Sequence, residues 1–227
     1  MLLLAIDTSG KQGSIALSRA GEPTAEGDFE MIEIAPLVGG TFSAQLIPQV
    51  SELLARNGFM KTAIGAFAVA SGPGSFTGLR IGLAAVKALA EVLEKPIAAV
   101  SLLEVCAVTS GAQGKIMAAL DAGRGDVYVG EYEISETPAQ APREQILTRS
   151  EFLAHAQGWM VVTPDTVLAE AAGAVGLSVS TLPPISADAV ARLGWRKIQS
   201  GEVVTPEQLE ANYIRRTDAE MLEKSGR

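Results

Sequence analysis

The sequence predicts an α/β protein of two lobes built from a duplicated unit, and three observations predict it. Apolar strand-like runs alternate with helical patterns through the first hundred residues, as in an α/β lobe. Two distant segments share one pattern of strand, aspartate, tight turn and strand: Leu2 to Gly10 followed by Ser14–Leu17, and Ile116 to Gly123 followed by Val127–Tyr132. Hydrophobic residues make up 48% of the 227 residues and aromatic ones only 5%, a composition that suits helices packed closely on sheets.

Each element follows from its own residues. The run Leu2–Ile6 reads as a strand that ends in Asp7, and the turn Thr8-Ser9-Gly10 returns it to Ser14–Leu17. Leu46, Val50, Leu53 and Leu54 fall at helical spacing within Ser43–Asn57, with Gly58 as C-cap and Pro48 expected to kink or delay the helix. A strand over Ala63–Ala70 leads through a glycine-rich turn into a helix over Ser75–Leu93. Lys95-Pro96 closes that helix before the strand Ile97–Val100, and Ser101 with Glu104 is a capping-box signature for the next one.

After the second hairpin, Ser135–Arg149 with Pro138 and Pro142 reads as an exposed connector. Further elements are a helix over Ser150–Ala156, a strand over Trp159–Val162, and helices over Val167–Val175 and Ala187–Ser200. Leu209–Arg216 reads as a short strand or turn. The expected division is 1–103 for the first lobe and 104–227 for a smaller second lobe, whose final segment has the option of packing back on the first. No apolar run reaches the roughly 18 residues needed to span a bilayer, and a cytoplasmic protein is expected.

The most specific local feature is Ser71-Gly72-Pro73-Gly74-Ser75-Phe76-Thr77-Gly78-Leu79-Arg80-Ile81-Gly82. Its glycines allow a sharp turn, and Ser75 or Thr77 can cap the following helix. Both an anion cradle and plain close packing fit such a turn. It lacks the Gly-Lys-Ser/Thr of a Walker loop and the spacing of a dinucleotide fingerprint. Further along, Gly78, Gly82 and Ala85 fall at i, i+4, i+7 beside the apolar face of Leu79, Val86, Leu89 and Leu93. That smooth strip suits the approach of another helix, within the lobe or from a partner.

Charge and rare residues exclude several chemistries. Twenty-six acidic against eighteen basic residues give a net charge of -8, which opposes unaided binding to a polyanion. The single Cys106 has no disulfide partner and reads as core. His155 is the only histidine, so a paired-imidazole metal site cannot form, and it reads as a surface residue. Asp7 and Asp121 are the only well-placed carboxylate pair. Neither Ser71 nor Ser75 lies in a Gly-x-Ser-x-Gly elbow, which excludes a serine hydrolase of that type.

Ile6-Asp7-Thr8-Ser9, the glycine turn, Leu120-Asp121-Ala122 with Arg124-Gly125 and Val127-Tyr128, and Tyr213-Ile214-Arg215 together resemble the TsaB (YeaZ) family over nearly the whole chain. The resemblance implies an actin-like (ASKHA) ATPase-type fold with two duplicated lobes, the second reduced. It implies a non-catalytic scaffold that supports the paralogue TsaD in transferring threonylcarbamoyl to the tRNA adenosine 3′ of the anticodon, with the ATPase TsaE as a further partner. A homodimer is expected when the chain is alone, and tRNA contact only through the complex.

No catalytic residue, metal or cofactor is expected of this chain, ATP and Mg²⁺ serving the complex through its partners. By analogy with actin-like ATPases, Asp7, Thr8, Ser9 and Asp121 would be the nucleotide-binding residues, although both turns lack the glycine richness of a triphosphate cradle. The family also implies a helix-pair contact with TsaD, which assigns Leu46, Val50, Gly78, Gly82, Ala85 and Leu89 to the partner interface. One departure is Phe42-Ser43, where many relatives carry His-Ser, and no role is transferred to Phe42. The rival readings are a glycoprotease-type peptidase and an actin-like nucleotide-binding kinase or ATPase.

Overall fold

A computed structural model of the chain describes residues 1–21, 29–38, 41–134 and 143–214. Among them are ten strands and six α-helices. They form two compact units, Met1–Val105 with Ile185–Ala211, and Cys106–Pro184 with Asn212–Ile214. The range 104–227 is therefore divided, because its segment 185–211 packs in the first unit.

The first unit holds β1 (Leu2–Asp7), β2 (Gly13–Ala20), β3 (Phe29–Leu37), β4 (Ile64–Gly72) and β5 (Ile97–Ser101) in the order β3-β2-β1-β4-β5. β1 to β3 are antiparallel, whereas β4 and β5 run parallel to β1. Side chains alternate across this sheet. Leu2, Leu4, Ile6, Ile15, Leu17, Phe67 and Val69 build a core with α1 (Phe42–Arg56) and α2 (Phe76–Leu93). The opposite face carries Ala66, Ala68, Ala70 and Ala98, all buried, and α6 (Ala187–Ser200) packs there. With both faces covered, β1 is buried along its whole length, as a central strand between two helical layers should be.

The second unit repeats the plan. β6 (Gly114–Gly123), β7 (Asp126–Ile134), β8 (Arg143–Thr148), β9 (Met160–Thr163) and β10 (Ser178–Thr181) follow the order β8-β7-β6-β9-β10. Taken from β1 and from β6, the two sheets match strand for strand, three antiparallel and then two parallel. The two units are therefore built on one duplicated plan, as the repeated hairpins predicted. The reduction of the second lobe lies in its helices, since α4 (Arg149–His155) and α5 (Thr166–Ala174) have 7 and 9 residues against 15 and 18 for α1 and α2. A core of Met117, Val127, Val129, Phe152, Val161 and Leu168 joins α4 and α5 to this sheet.

Several sequence expectations are corrected. Residues 143–148 of the expected connector form β8, paired with β7. β3 and β10 were not expected; β3 is a sheet edge that carries Glu30, Glu33 and Pro36, residues that protect edges and hide strands from pattern reading. Pro48 does not delay α1, which begins at Phe42, and both Pro48 and Ala44, whose carbonyl it leaves without a helix donor, are exposed. No helix among the described residues is long and apolar enough to cross a membrane.

Candidate functional site

At the end of β1 the chain turns on a local hydrogen-bond device. The Ser9 amide and hydroxyl both donate to Asp7 Oδ1, at 2.9 and 2.6 Å. Asp7, Thr8 and Ser9 are 4%, 2% and 7% exposed, and burial pushes the Asp7 carboxyl above its ordinary value despite the opposing bonds from Ser9. Beside it in the antiparallel register stands Ser14, whose hydroxyl accepts the Ala187 amide of the first turn of α6 at 2.8 Å.

The glycine turn closes on this device. The Ser75 amide donates to the Ser9 carbonyl at 2.7 Å, the Thr8 hydroxyl donates to the Gly78 carbonyl at 2.7 Å, and Ser75 caps α2 by accepting from the Gly78 amide at 3.3 Å. A Cβ on Gly74 would stand 2.7 Å from the Ser9 carbonyl oxygen, and one on Gly78 or Gly82 would meet Thr8 closer than the 3.0 Å that real Cβ atoms respect. The glycines thus serve close packing of α2 on the end of β1. The Ser75 and Gly78 amides of this turn are already engaged within it.

The equivalent device in the second unit is simpler. The Gly123 amide donates to Asp121 Oδ1 at 3.0 Å, the same i, i+2 turn as Asp7 with Ser9, but Asp121 is exposed. The nucleotide set thus comprises three buried residues in the first unit and one exposed residue in the second. Nearby, β8 and Asn212–Ile214 line a cleft of about 660 Å³ with Asp126, Thr148 and Glu151. The Asn212 amide donates to Glu144 there, and Tyr213 is half exposed. Arg215 and Arg216 lie outside the described residues. This acidic cleft was missed from sequence; the signal for its edge is Thr148 with Glu151, a complete capping box at the start of α4.

The interface assignment needs a correction. Leu46 and Val50 are 1% and 4% exposed in the core of the first unit, and Gly78 and Gly82 face Thr8 within that unit. These four are unavailable to a partner because their own sheet already occupies them. Ala85 and Leu89 are partly buried at the margin of that core. The outer side of the same helix pair is different: Phe76, Arg80, Ala84, Ala88 and Val92 repeat every four residues along α2, and all are exposed, as are Ala44, Ile47 and Pro48 on α1. Phe76 and Val92 are 53% and 76% exposed, and the Arg80 guanidinium lies 3.7 Å over the Phe76 ring.

Cys106 is fully buried, and desolvation pushes its thiol up to about 12, so it is core and not a nucleophile. His155 pairs with Glu131 at 2.8 Å with 43% of its side chain exposed, the surface position expected of it. Among the described residues no three histidine, cysteine or carboxylate side chains gather as a metal site.

Comparison with known proteins places this geometry. Residues 36–190 match the family model described as TsaD, tRNA N6-adenosine threonylcarbamoyltransferase. The TsaB protein of Escherichia coli K12, a tRNA threonylcarbamoyladenosine biosynthesis protein, is 31% identical over 95% of each chain. A tRNA N6-adenosine threonylcarbamoyltransferase of Anaeromyxobacter is 34% identical, but only over 46% of this chain and 34% of its own length. The structure of YeaZ from Pseudomonas aeruginosa superposes with a TM-score of 0.72 at 28% identity, covering 93% of this chain and 99% of the other.

Proposed function

The chain belongs to the TsaB (YeaZ) family of tRNA threonylcarbamoyladenosine biosynthesis proteins, and from that premise we propose that it is the non-catalytic subunit that binds and supports TsaD through the outer side of α1 and α2. The observation that carries this reading is that side itself. Ala84 and Ala88 form a smooth strip between the exposed Phe76 and Val92, and such a strip lets a second helix pair approach closely. Exposed apolar groups of this kind, Phe76 and Val92 beside the alanines, call for a cover.

Composition supports the division of labour. One histidine cannot supply paired imidazoles for metal chemistry. The peptidase rival needs the same missing residues. Against the kinase rival stands the engagement of the Ser9 and Gly123 amides with Asp7 and Asp121, which withdraws those two turn amides from a phosphate. This chain accordingly needs no cofactor of its own; ATP and Mg²⁺ act through the partners.

TsaE joins the TsaD-bound form, and tRNA is held by the complex because a charge of -8 repels phosphate from the subunit alone. Without TsaD the same face pairs with a second copy. The complex works on tRNA in the cytoplasm. Reconstitution of threonylcarbamoyl transfer from TsaD and TsaE, with and without this chain, tests the reading. Transfer that depends on the chain is expected, and full transfer in its absence would refute it.

A further inference from the structure

We propose that Thr8 is a positioning residue for the TsaD-binding face, its hydroxyl fixing the angle at which α2 presents Ala84 and Ala88. The inference rests on the docking reading above and adds the device that aims the docking helix. Thr8 stands at the end of β1, 2% exposed, and its Oγ1 donates to the Gly78 carbonyl at 2.7 Å. That carbonyl has a second lone pair free beside its helix bond, so the contact adds to the helix without breaking it.

Leu79, Leu83, Val86 and Ala90 seat α2 in the core of the unit, and at its crossing with the end of β1 the Thr8 hydroxyl adds a directional bond to that packing. The two α2 residues that face Thr8, Gly78 and Gly82, have no side chains to interlock with the strand. Helices are held in angle by ridges seated in grooves, and at this crossing the glycines bring the backbones close but supply no ridge. Beyond the Thr8 hydroxyl, the first turn of α2 is tied to the strand end by the bond from the Ser75 amide to the Ser9 carbonyl. That second tie precedes the helix and acts as a pivot, so the Thr8 bond one turn further on sets the direction. A small rotation about that pivot is largest at the far end of α2, beyond Ala88.

Three substitutions separate the hydroxyl from packing. Thr8→Ser and Thr8→Ala both lack the methyl group and differ only in the hydroxyl, while Thr8→Val keeps the branched shape without it. Affinity for TsaD would be measured by calorimetry, with hydrogen exchange of the Leu79–Leu83 amides in the free chain. Thr8→Ser should stay near wild type in both. Thr8→Ala and Thr8→Val should each bind TsaD about tenfold more weakly, the scale of one buried hydrogen bond, with faster exchange in those amides.

Wild-type affinity in Thr8→Ala, or a loss in Thr8→Ser as large as in Thr8→Ala, would overturn the proposal. Ala84→Arg is the control, since it blocks the outer face without touching Thr8. If Ala84→Arg bound TsaD at full strength, the docking face would fall and the proposal with it, while any exchange difference between Thr8→Ser and Thr8→Ala would stand as a property of the free chain.

Discussion

Gly194 of α6 lies directly over Ala68 of β4, so close that a Cβ on the glycine would come within 3.0 Å of the alanine methyl. This contact explains why a helix near the end of the chain belongs to the first unit. A sheet face of alanines accepts a helix only at short range, and the helix must then lack a side chain at the crossing point. Gly194 is buried along with Val190, Ala191 and Trp195 on the same side of α6.

Gly194→Ala should therefore destabilise the first unit by about 1–3 kcal/mol, the usual cost of overpacking a tight contact. Gly173 supplies the internal control, because a Cβ there meets nothing within 4 Å and its helical backbone suits alanine. Gly173→Ala should gain roughly 0.4–1 kcal/mol. Urea unfolding of both variants checks the pair, and equal effects of one sign would contradict this account of α6.

Asp7 gives a dependence on pH with a definite sign. Its folded pKa lies above the ordinary 3.8, chiefly through burial. Below 3.8 the carboxyl is neutral in both states and costs nothing. As pH rises, the unfolded chain ionises first, so the folded state is penalised increasingly until pH passes the raised folded value, and the penalty is constant above it. Asp7→Asn keeps an oxygen to accept from Ser9 and cannot ionise. It should be more stable than wild type at neutral pH, with the difference vanishing as pH falls toward 3.8. Chemical denaturation across that range checks it, and an asparagine variant less stable at neutral pH would show that the charge itself is held by a partner.

Much of the fold was legible because its central elements carry strong periodic signals. The repeated strand, aspartate and turn announced the duplication, and β1, β2, α2 and α6 lie within a few residues of their expected bounds. Of the four edge strands only β5 was legible, as Ile97–Val100. β8 and β10 are short and carry Arg143, Glu144, Gln145 and Ser178, and their pairing is decided by tertiary neighbours and not by their own pattern.

Gly78 and Gly82 were read as part of a partner surface and lie against their own unit. Glycine spacing identifies a surface made for close approach but does not say which neighbour approaches. Here the neighbour of Gly78 and Gly82 is Thr8 of the same unit, and the exposed side of α2 is the alanine and phenylalanine side that the glycine pattern obscured. Capping was legible only in part. The Glu104 amide does bond to Ser101 Oγ at 3.4 Å, yet the Glu104 carboxylate pairs with Lys197 at 2.9 Å across to α6, a partner no local pattern reveals.

The central claim is that the outer face of α1 and α2 binds TsaD, and titration of TsaD with an Ala88→Arg variant tests it most directly. Ala88 is exposed on α2, so the substitution leaves the fold intact, and its thermal unfolding should match wild type. A guanidinium buried at the centre of a close helix contact should weaken TsaD binding by at least about a hundredfold and abolish dependent threonylcarbamoyl transfer. Wild-type affinity in a folded Ala88→Arg protein would contradict the account and place the contact elsewhere on the chain.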